Sequence, residues 1–430
     1  MARPAPAEAR VAPSRGAPLG TPRARRCRAR LNGPILRVVQ ASRRDRLAPL
    51  TGLRFAAALG ILLYHYGAPL VAGLPAWVDR VRVGGHVWVG LFYVLSGFVL
   101  AWAHPLPMAP AERRTFYVAR FARLYPAYLL AFLLIAPFAL ERWQGGGPVA
   151  LAKAATVATA CLLLAQAWAT PIARLWNPPG WSTSVVAAFY AAFPFVAARL
   201  SRLSRRGLAL AALGAWAASL AFPLLYLALR PDGQVEPATL TWEEPLWLEA
   251  LKFHPVARAG EFGVGVAIGL LHHRGVSLGR LGGAAAAAAL GAVFVLLAWG
   301  GAPYVLVHNG LAVPLFAIAL LGLAAGGSGP ARVLASPAAR SLGDASFALY
   351  ALQEPLWRWA RRLVPEDPGA APSAAFVLGF AGFAIAVSII VSRSLERPAR
   401  HALRALLGGE RAGTRAPPAE VSGLAPAERR

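Results

Sequence analysis

The chain has 430 residues, 57% of them hydrophobic and only 15% charged, with a mean hydropathy of +0.50. Soluble domains run nearer 45–50% apolar and about 25% charged, so a soluble enzyme with one large core is excluded. The net charge of +25 rests on 44 Lys+Arg, all arginine except Lys153 and Lys252. They crowd the gaps between apolar blocks, as in cytoplasmic membrane loops, and no nucleic-acid-binding signature accompanies them.

Residues 1–47 are rich in Ala, Pro and Arg and hold 12 arginines against Glu8 and Asp45. Such a stretch cannot bury enough apolar surface to offset its ordering entropy, so a disordered cytoplasmic tail is expected there. Ser42-Arg43-Arg44-Asp45-Arg46 has the look of a twin-arginine export signal, but Arg54 and His65 inside the apolar run that follows argue against one. Ten blocks then approach the roughly 20 residues a helix needs to cross a bilayer: 48–67, 87–104, 122–140, 183–199, 208–229, 257–273, 283–300, 306–326, 343–360 and 373–392. The expected fold is therefore all-α, a polytopic helix bundle of about ten spans. One further apolar stretch, 148–168, is read as a re-entrant or surface-lying helix. With both termini inside, that choice leaves roughly three quarters of the basic residues on the cytoplasmic side, as the positive-inside rule requires. The membrane part then runs over 48–400, and 401–430 forms a basic cytoplasmic tail. Cys27 and Cys161 make no disulfide framework or metal spacing, and the adjacent His272 and His273 read as loop residues. No metal is expected.

Within the spans, the polar residues carry the information. Arg54 and His65 are eleven residues apart, which on a helix leaves them about 20° apart around the axis and about 16 Å apart along it. They share one face. As a pair they read either as an inner anchor plus an interfacial histidine, or as a polar track ending in a general base, since neutral imidazole is poised near physiological pH. In the second block, Ser96-Gly97 reads as a site of close helix approach. At the entrance to the third, Arg120 and Arg123 are i,i+3 neighbours; two guanidinium forks suit phosphate, although positive-inside anchoring also explains them. Arg258 and Glu261 share the same spacing and read as a self-neutralising pair. Glu354 lies about ten residues into its span, where a carboxyl must be protonated or paired.

Taken in order, these segments resemble the acyltransferase-3 family of integral-membrane O-acyltransferases. The family's arginine-x10-histidine motif is matched by Arg54 and His65 in Leu53-Arg54-Phe55-Ala56-Ala57-Ala58. Its phenylalanine-rich run ending in Ser-Gly-Phe is matched by Leu91 to Phe98, and its arginine-x-x-arginine with a following Tyr-Pro by Arg120, Arg123, Tyr125 and Pro126. Looser matches follow at Trp181-Ser182-Thr183-Ser184-Val185 with Phe189-Tyr190, at Arg258-Ala259-Gly260-Glu261-Phe262, at Ser346 to Tyr350 with Gln353-Glu354-Pro355, and at Glu396-Arg397-Pro398-Ala399-Arg400. The chain departs from the family at Val186, where an acid is usual.

The resemblance implies an enzyme that moves an acyl group, acetyl above all, from acyl-CoA to a hydroxyl of a sugar, polysaccharide, lipid or secreted small molecule, in a bacterial plasma membrane. His65 would serve as general base, Arg54 would line its polar track, and Glu354 would replace the missing acid, with Glu261 the other candidate. Arg120 and Arg123 would hold the phosphates of acyl-CoA. Membrane lipids are the remaining partners, and nucleic acid is not one. Two rival readings stay open here: a transporter or flippase, suggested by Pro194, Pro223, Pro314 and Pro355, and an inactive family member acting as sensor or scaffold, suggested by Val186.

Overall fold

A computed structural model describes residues 47–104, 106–233, 245–364 and 371–408. Residues 1–46 of the tail expected at 1–47, the acidic residues Glu236, Glu243 and Glu244, and the end of the basic tail from 409 lie outside these residues. Among the described residues the secondary structure is helical, without strands.

Nine of the ten expected spans fall on one helix each, and the tenth, 306–326, is broken at Asn309 between Tyr304–His308 and Val313–Ala324. The first is α1, Leu47–Tyr66. After a short amphipathic helix, Ala76–Val83, comes α2, Trp88–Ala103. Helix α3, Pro110–Glu141, has 32 residues, about 48 Å at 1.5 Å per residue. It therefore begins a dozen residues before the expected span and carries Arg113, Arg114, Arg120 and Arg123 on its N-terminal half. Next is α4, Gly147–Leu162, whose 16 residues cover about 24 Å. Unlike α2, it is not extended by a preceding helix, and it is not among the helices long enough to cross a membrane. Its last carbonyls would be orphaned by the helix end, and α3 satisfies them: Tyr125 donates to Leu162 O (3.1 Å) and Tyr128 to Cys161 O (2.9 Å).

The remaining helices of eight or more residues are α5 (Trp181–Leu200), α6 (Arg205–Leu229), α7 (Leu246–Phe253), α8 (Pro255–His273), α9 (Gly282–Trp299), α10 (Val313–Ala324), α11 (Pro337–Leu363), α12 (Ala374–Val391) and α13 (Arg397–Gly408). Among the described residues, eight helices are long and apolar enough to cross a membrane. Two expected spans, α8 and α11, are not among the eight because they carry Arg258 and Glu261, and Asp344, Glu354 and Arg358. Both are walled in by protein instead of lipid. Helix α8 packs against α2 and α6, and α11 against α3 and α12.

Helices α2 and α8 meet backbone to backbone in the bundle core. A Cβ on Gly97 would collide with Phe262 O, and one on Gly265 with Val94 O. Ser96-Gly97 thus does what the sequence suggested, letting two backbones touch. Around that seam Val94, Leu95, Phe98, Phe189, Phe193 and Phe262 form the main apolar core. Helix α12 joins α13 through a π-helical turn at Ser392–Glu396, and α13 folds against α3. Residues 401–408, expected to open the tail, continue this helix.

Candidate active site

Helix α1 sets the axis of the site. Arg54 and His65 are both partly buried and share one face, and each meets a different set of partners. At the N-terminal end of the helix, Arg54 lies in the electrostatic neighbourhood of Arg120, Arg123, Tyr190 and Asp344. The structure thus brings three sequence-predicted arginines, from α1 and α3, to one place. Arg120 is steadied by the faces of Phe116 and Tyr190, at 5.6 and 5.9 Å from its guanidinium carbon. Its Nε is buried without a hydrogen-bond partner.

At the other end His65 stands between Tyr64 and Tyr66, with ring centroids 4.9 and 5.7 Å away. The side chains of Gln353 and Glu354, on α11, approach its imidazole. Glu354 is 8% exposed and paired, as a mid-span carboxyl requires: Tyr66 donates to Oε2 (2.8 Å) and Arg358 Nε to Oε1 (2.7 Å). Tyr66 is itself fixed, stacked on Trp357 at 4.5 Å and edge-on to Phe380. His65 Nδ1 and Gln353 Oε1 are both buried and both lack a hydrogen-bond partner. A ring N–H and an amide oxygen are complementary, so this neighbouring couple is poised to fix the tautomer of the imidazole.

Glu261, the other candidate acid, lies in a separate network. It is 1% exposed and pairs with the fully buried Arg258 at 2.8 Å. Gly310 N–H donates to Glu261 Oε1 (3.1 Å), while Arg258 donates to His308 O (2.6 Å) and Asn309 Oδ1 (2.7 Å) and lies under the ring of Tyr93 at 5.3 Å. The i,i+3 pair is as self-neutralising as its spacing suggested, and it is buried in the core. It ties α8 to the segment before α10.

The Trp-Ser-x-Ser-Val segment also turns out to be a fastener. Ser182 donates to Tyr350 Oη (2.6 Å), which donates to Pro179 O (2.9 Å), and Ser184 donates to Leu164 O (2.6 Å). These bonds bind the start of α5 to α11 and to the loop after α4. Val186 packs on the apolar core. Sequence reasoning missed Gln353 and Arg358 as partners at the imidazole end, though the i,i+4 spacing of Glu354 and Arg358 was available as a signal. It read Arg400 only as part of a motif and missed that Arg400 and Arg404 on α13 meet the arginines of α3, because these neighbours lie nearly 300 positions away.

A cavity of about 430 Å³, lined by Leu53, Ala57, Gly60, Leu63, Trp88 and Phe294 among others, opens on the opposite face of α1. Its lining is almost wholly apolar, and Arg54 and His65 take no part in it.

The model of a family described as "Acyltransferase domain" matches residues 48–393. Two curated relatives are similar to the chain. An acyltransferase, MdmB, of Streptomyces mycarofaciens is 29% identical over 411 residues, covering 86% of this chain and 95% of its own length. Protein 2 in the picA locus of Rhizobium radiobacter is 38% identical over 96 residues, 22% of this chain and 46% of the relative. No solved structure matches.

Proposed function

As a member of this family of acyltransferases, the chain is an integral-membrane acyltransferase, and we propose that it transfers an acyl group, acetyl first among them, from acyl-CoA to an acceptor hydroxyl, with His65 as general base. The observation that carries the reading is the division of α1 between two chemistries. Arginines gather at one end and an imidazole backed by Gln353 and Glu354 stands at the other. The two ends are about 16 Å apart. An acyl-CoA has the same division, with phosphates at one end of a long flexible arm and a thioester at the other.

In this reading Arg120 and Arg123, with Arg54 beside them, bind the phosphates from the cytoplasm, and the arm runs along α1. His65 accepts the proton of the acceptor hydroxyl as its oxygen attacks the thioester carbonyl. The tetrahedral intermediate collapses, the carbon–sulfur bond breaks, and the imidazolium returns the proton to the leaving thiolate. Ester and free thiol are the products. Gln353 Oε1 accepts from Nδ1–H, which leaves Nε2 as the basic nitrogen. Glu354 supplies the negative charge that favours the imidazolium as it forms, the work an acid at position 186 would do elsewhere in the family. Direct transfer fits the residues at hand, since Cys161 is buried in the α3–α4 cluster away from this face. The acceptor is a hydroxyl on a sugar, polysaccharide, lipid or secreted small molecule, and the membrane is the bacterial plasma membrane with both termini cytoplasmic.

The test is purified protein with labelled acetyl-CoA and a sugar or polyol acceptor. General-base help is worth about 10²–10⁴ in rate, so His65→Ala should lower transfer by that range with the protein still inserted and monodisperse. Full transfer by His65→Ala refutes the role. Uptake of an unmodified compound, with no label transferred, would favour a transporter.

A further inference from the structure

Helix α13 carries Arg397, Arg400 and Arg404 at i, i+3 and i+7, one continuous face. The π-helical turn at Ser392–Glu396 precedes it, and such turns recur where a helix must re-aim side chains at functional positions. The face divides its arginines. Arg397 is taken by Asp344 on α11 at 2.8 Å. Arg400 and Arg404 turn toward α3, against which the helix packs. Arg404 lies within electrostatic range of Arg120, and Arg400 within range of Arg123 and Arg404.

Five guanidinium groups therefore converge at the cytoplasmic end of α1 and α3. Two carboxylates share the space. Asp344 is already bound to Arg397. Glu396 lies within electrostatic range of Arg123 and Arg400, is fully buried, and neither of its oxygens has a hydrogen-bond partner. The Nε atoms of Arg120 and Arg400 are likewise buried and unpartnered. Like charges gathered this way repel, and a group with buried donors left over is incomplete. What completes it is a polyanion with several phosphate oxygens, which planar guanidinium forks bind in pairs.

We propose that Arg400 and Arg404 of α13 join Arg54, Arg120 and Arg123 in one polyphosphate site, and that this site takes the nucleotide end of the acyl-CoA donor. The donor's identity rests on the acyl-transfer reading above; the arginine cluster does not. Helix α13 thereby closes the donor site from the cytoplasmic side, and the two residues determine the preference for a nucleotide-bearing donor without touching the thioester.

Full-length protein in phosphatidylcholine nanodiscs, titrated with CoA, dephospho-CoA and pantetheine, tests this. A charge-assisted hydrogen bond contributes about 1.5–3 kcal/mol, so Arg400→Gln with Arg404→Gln should weaken CoA binding about 10- to 100-fold or more. Pantetheine, which has no phosphate, should bind the double variant as it binds the wild type, and Arg400→Lys with Arg404→Lys should recover part of the loss. CoA binding unchanged in the double Gln variant overturns the proposal. So does an equal loss for CoA and pantetheine, which would mean that α13 acts on the fold. Discs containing phosphatidylglycerol separate the other phosphate source: if the variants alter retention of that lipid and leave CoA binding alone, the cluster is a headgroup site and the proposal fails. His65→Ala keeps the two readings apart, because it should bind CoA normally. Arginine-dependent CoA binding with no acyl transfer by the wild type would leave the site standing and remove the proposed chemistry.

Discussion

Replacing Glu261 gives the sharpest contrast between a catalytic and a structural carboxylate. Arg258 and Glu261 are 0% and 1% exposed, and no other carboxylate is in contact with this guanidinium among the described residues. Charge centres about 4 Å apart interact by about 4 kcal/mol at an effective dielectric of 20, and breaking a buried pair by removing one partner typically costs about 3–5 kcal/mol. Glu261→Ala strips that partner and also the acceptor of Gly310 N–H, so it should fall at the upper end of this range. Arg258 keeps His308 O and Asn309 Oδ1, but neither is charged. Arg258→Met combined with Glu261→Leu removes both charges at similar volume, and such exchanges are often neutral or stabilising. The double variant should therefore melt above Glu261→Ala. Heating detergent-solubilised protein and measuring the monodisperse fraction by fluorescence-detected size exclusion reads this directly. A Glu261→Ala protein that melts like wild type and loses only acyl transfer would refute the structural assignment, and Glu261 would return as the candidate for the acid missing at Val186.

Other consequences are briefer. Glu354→Gln keeps one acceptor oxygen, turns the other position into a donor facing Tyr66 or Arg358 and removes the charge beside His65; it should slow acyl transfer at least tenfold and, since Arg358 can still reach the interface region, change melting less than Glu261→Ala does. Tyr66→Phe removes one charge-assisted hydrogen bond to Glu354, worth about 1.5–3 kcal/mol, and a turnover equal to wild type would show that this bond does not support catalysis. Arg120→Ala with Arg123→Ala should raise KM for acyl-CoA more than it lowers kcat; an effect confined to protein level would restore the anchoring explanation. Gly265→Val should prevent assembly, because its side chain would need to occupy the space of Val94 O, and recovery of normal amounts of folded protein would contradict the α2–α8 contact. Ser182→Ala leaves Tyr350 its bond to Pro179 O and should cost only about 0.5–1.5 kcal/mol, measured by the same melting assay.

The architecture was legible because the bilayer imposes a simple code. Backbone groups in hydrocarbon must be satisfied within a helix, so every long apolar block had one conformation open to it. The face shared by Arg54 and His65 followed from helical geometry alone, as did the pairing of Arg258 with Glu261. Length and hydropathy did less well with α8 and α11. A helix wrapped by protein can carry buried charge that lipid would reject, and only its neighbours in three dimensions reveal that shelter.

What the sequence determined unaided is therefore the helical bundle, the segments that build it and the polar residues that need an explanation. Tertiary structure decided which of those residues meet. It placed Glu261 in a closed network with Arg258, Gly310 and Asn309, and set Gln353 and Glu354 beside His65. It also turned α13 back onto α3, so that arginines nearly 300 positions apart share one pocket of charge. The physical reason is the range of the forces involved. Hydrogen bonding within a helix and transfer into lipid are properties of a segment, whereas an ion pair or a phosphate site depends on distances that only the packing of distant segments can set.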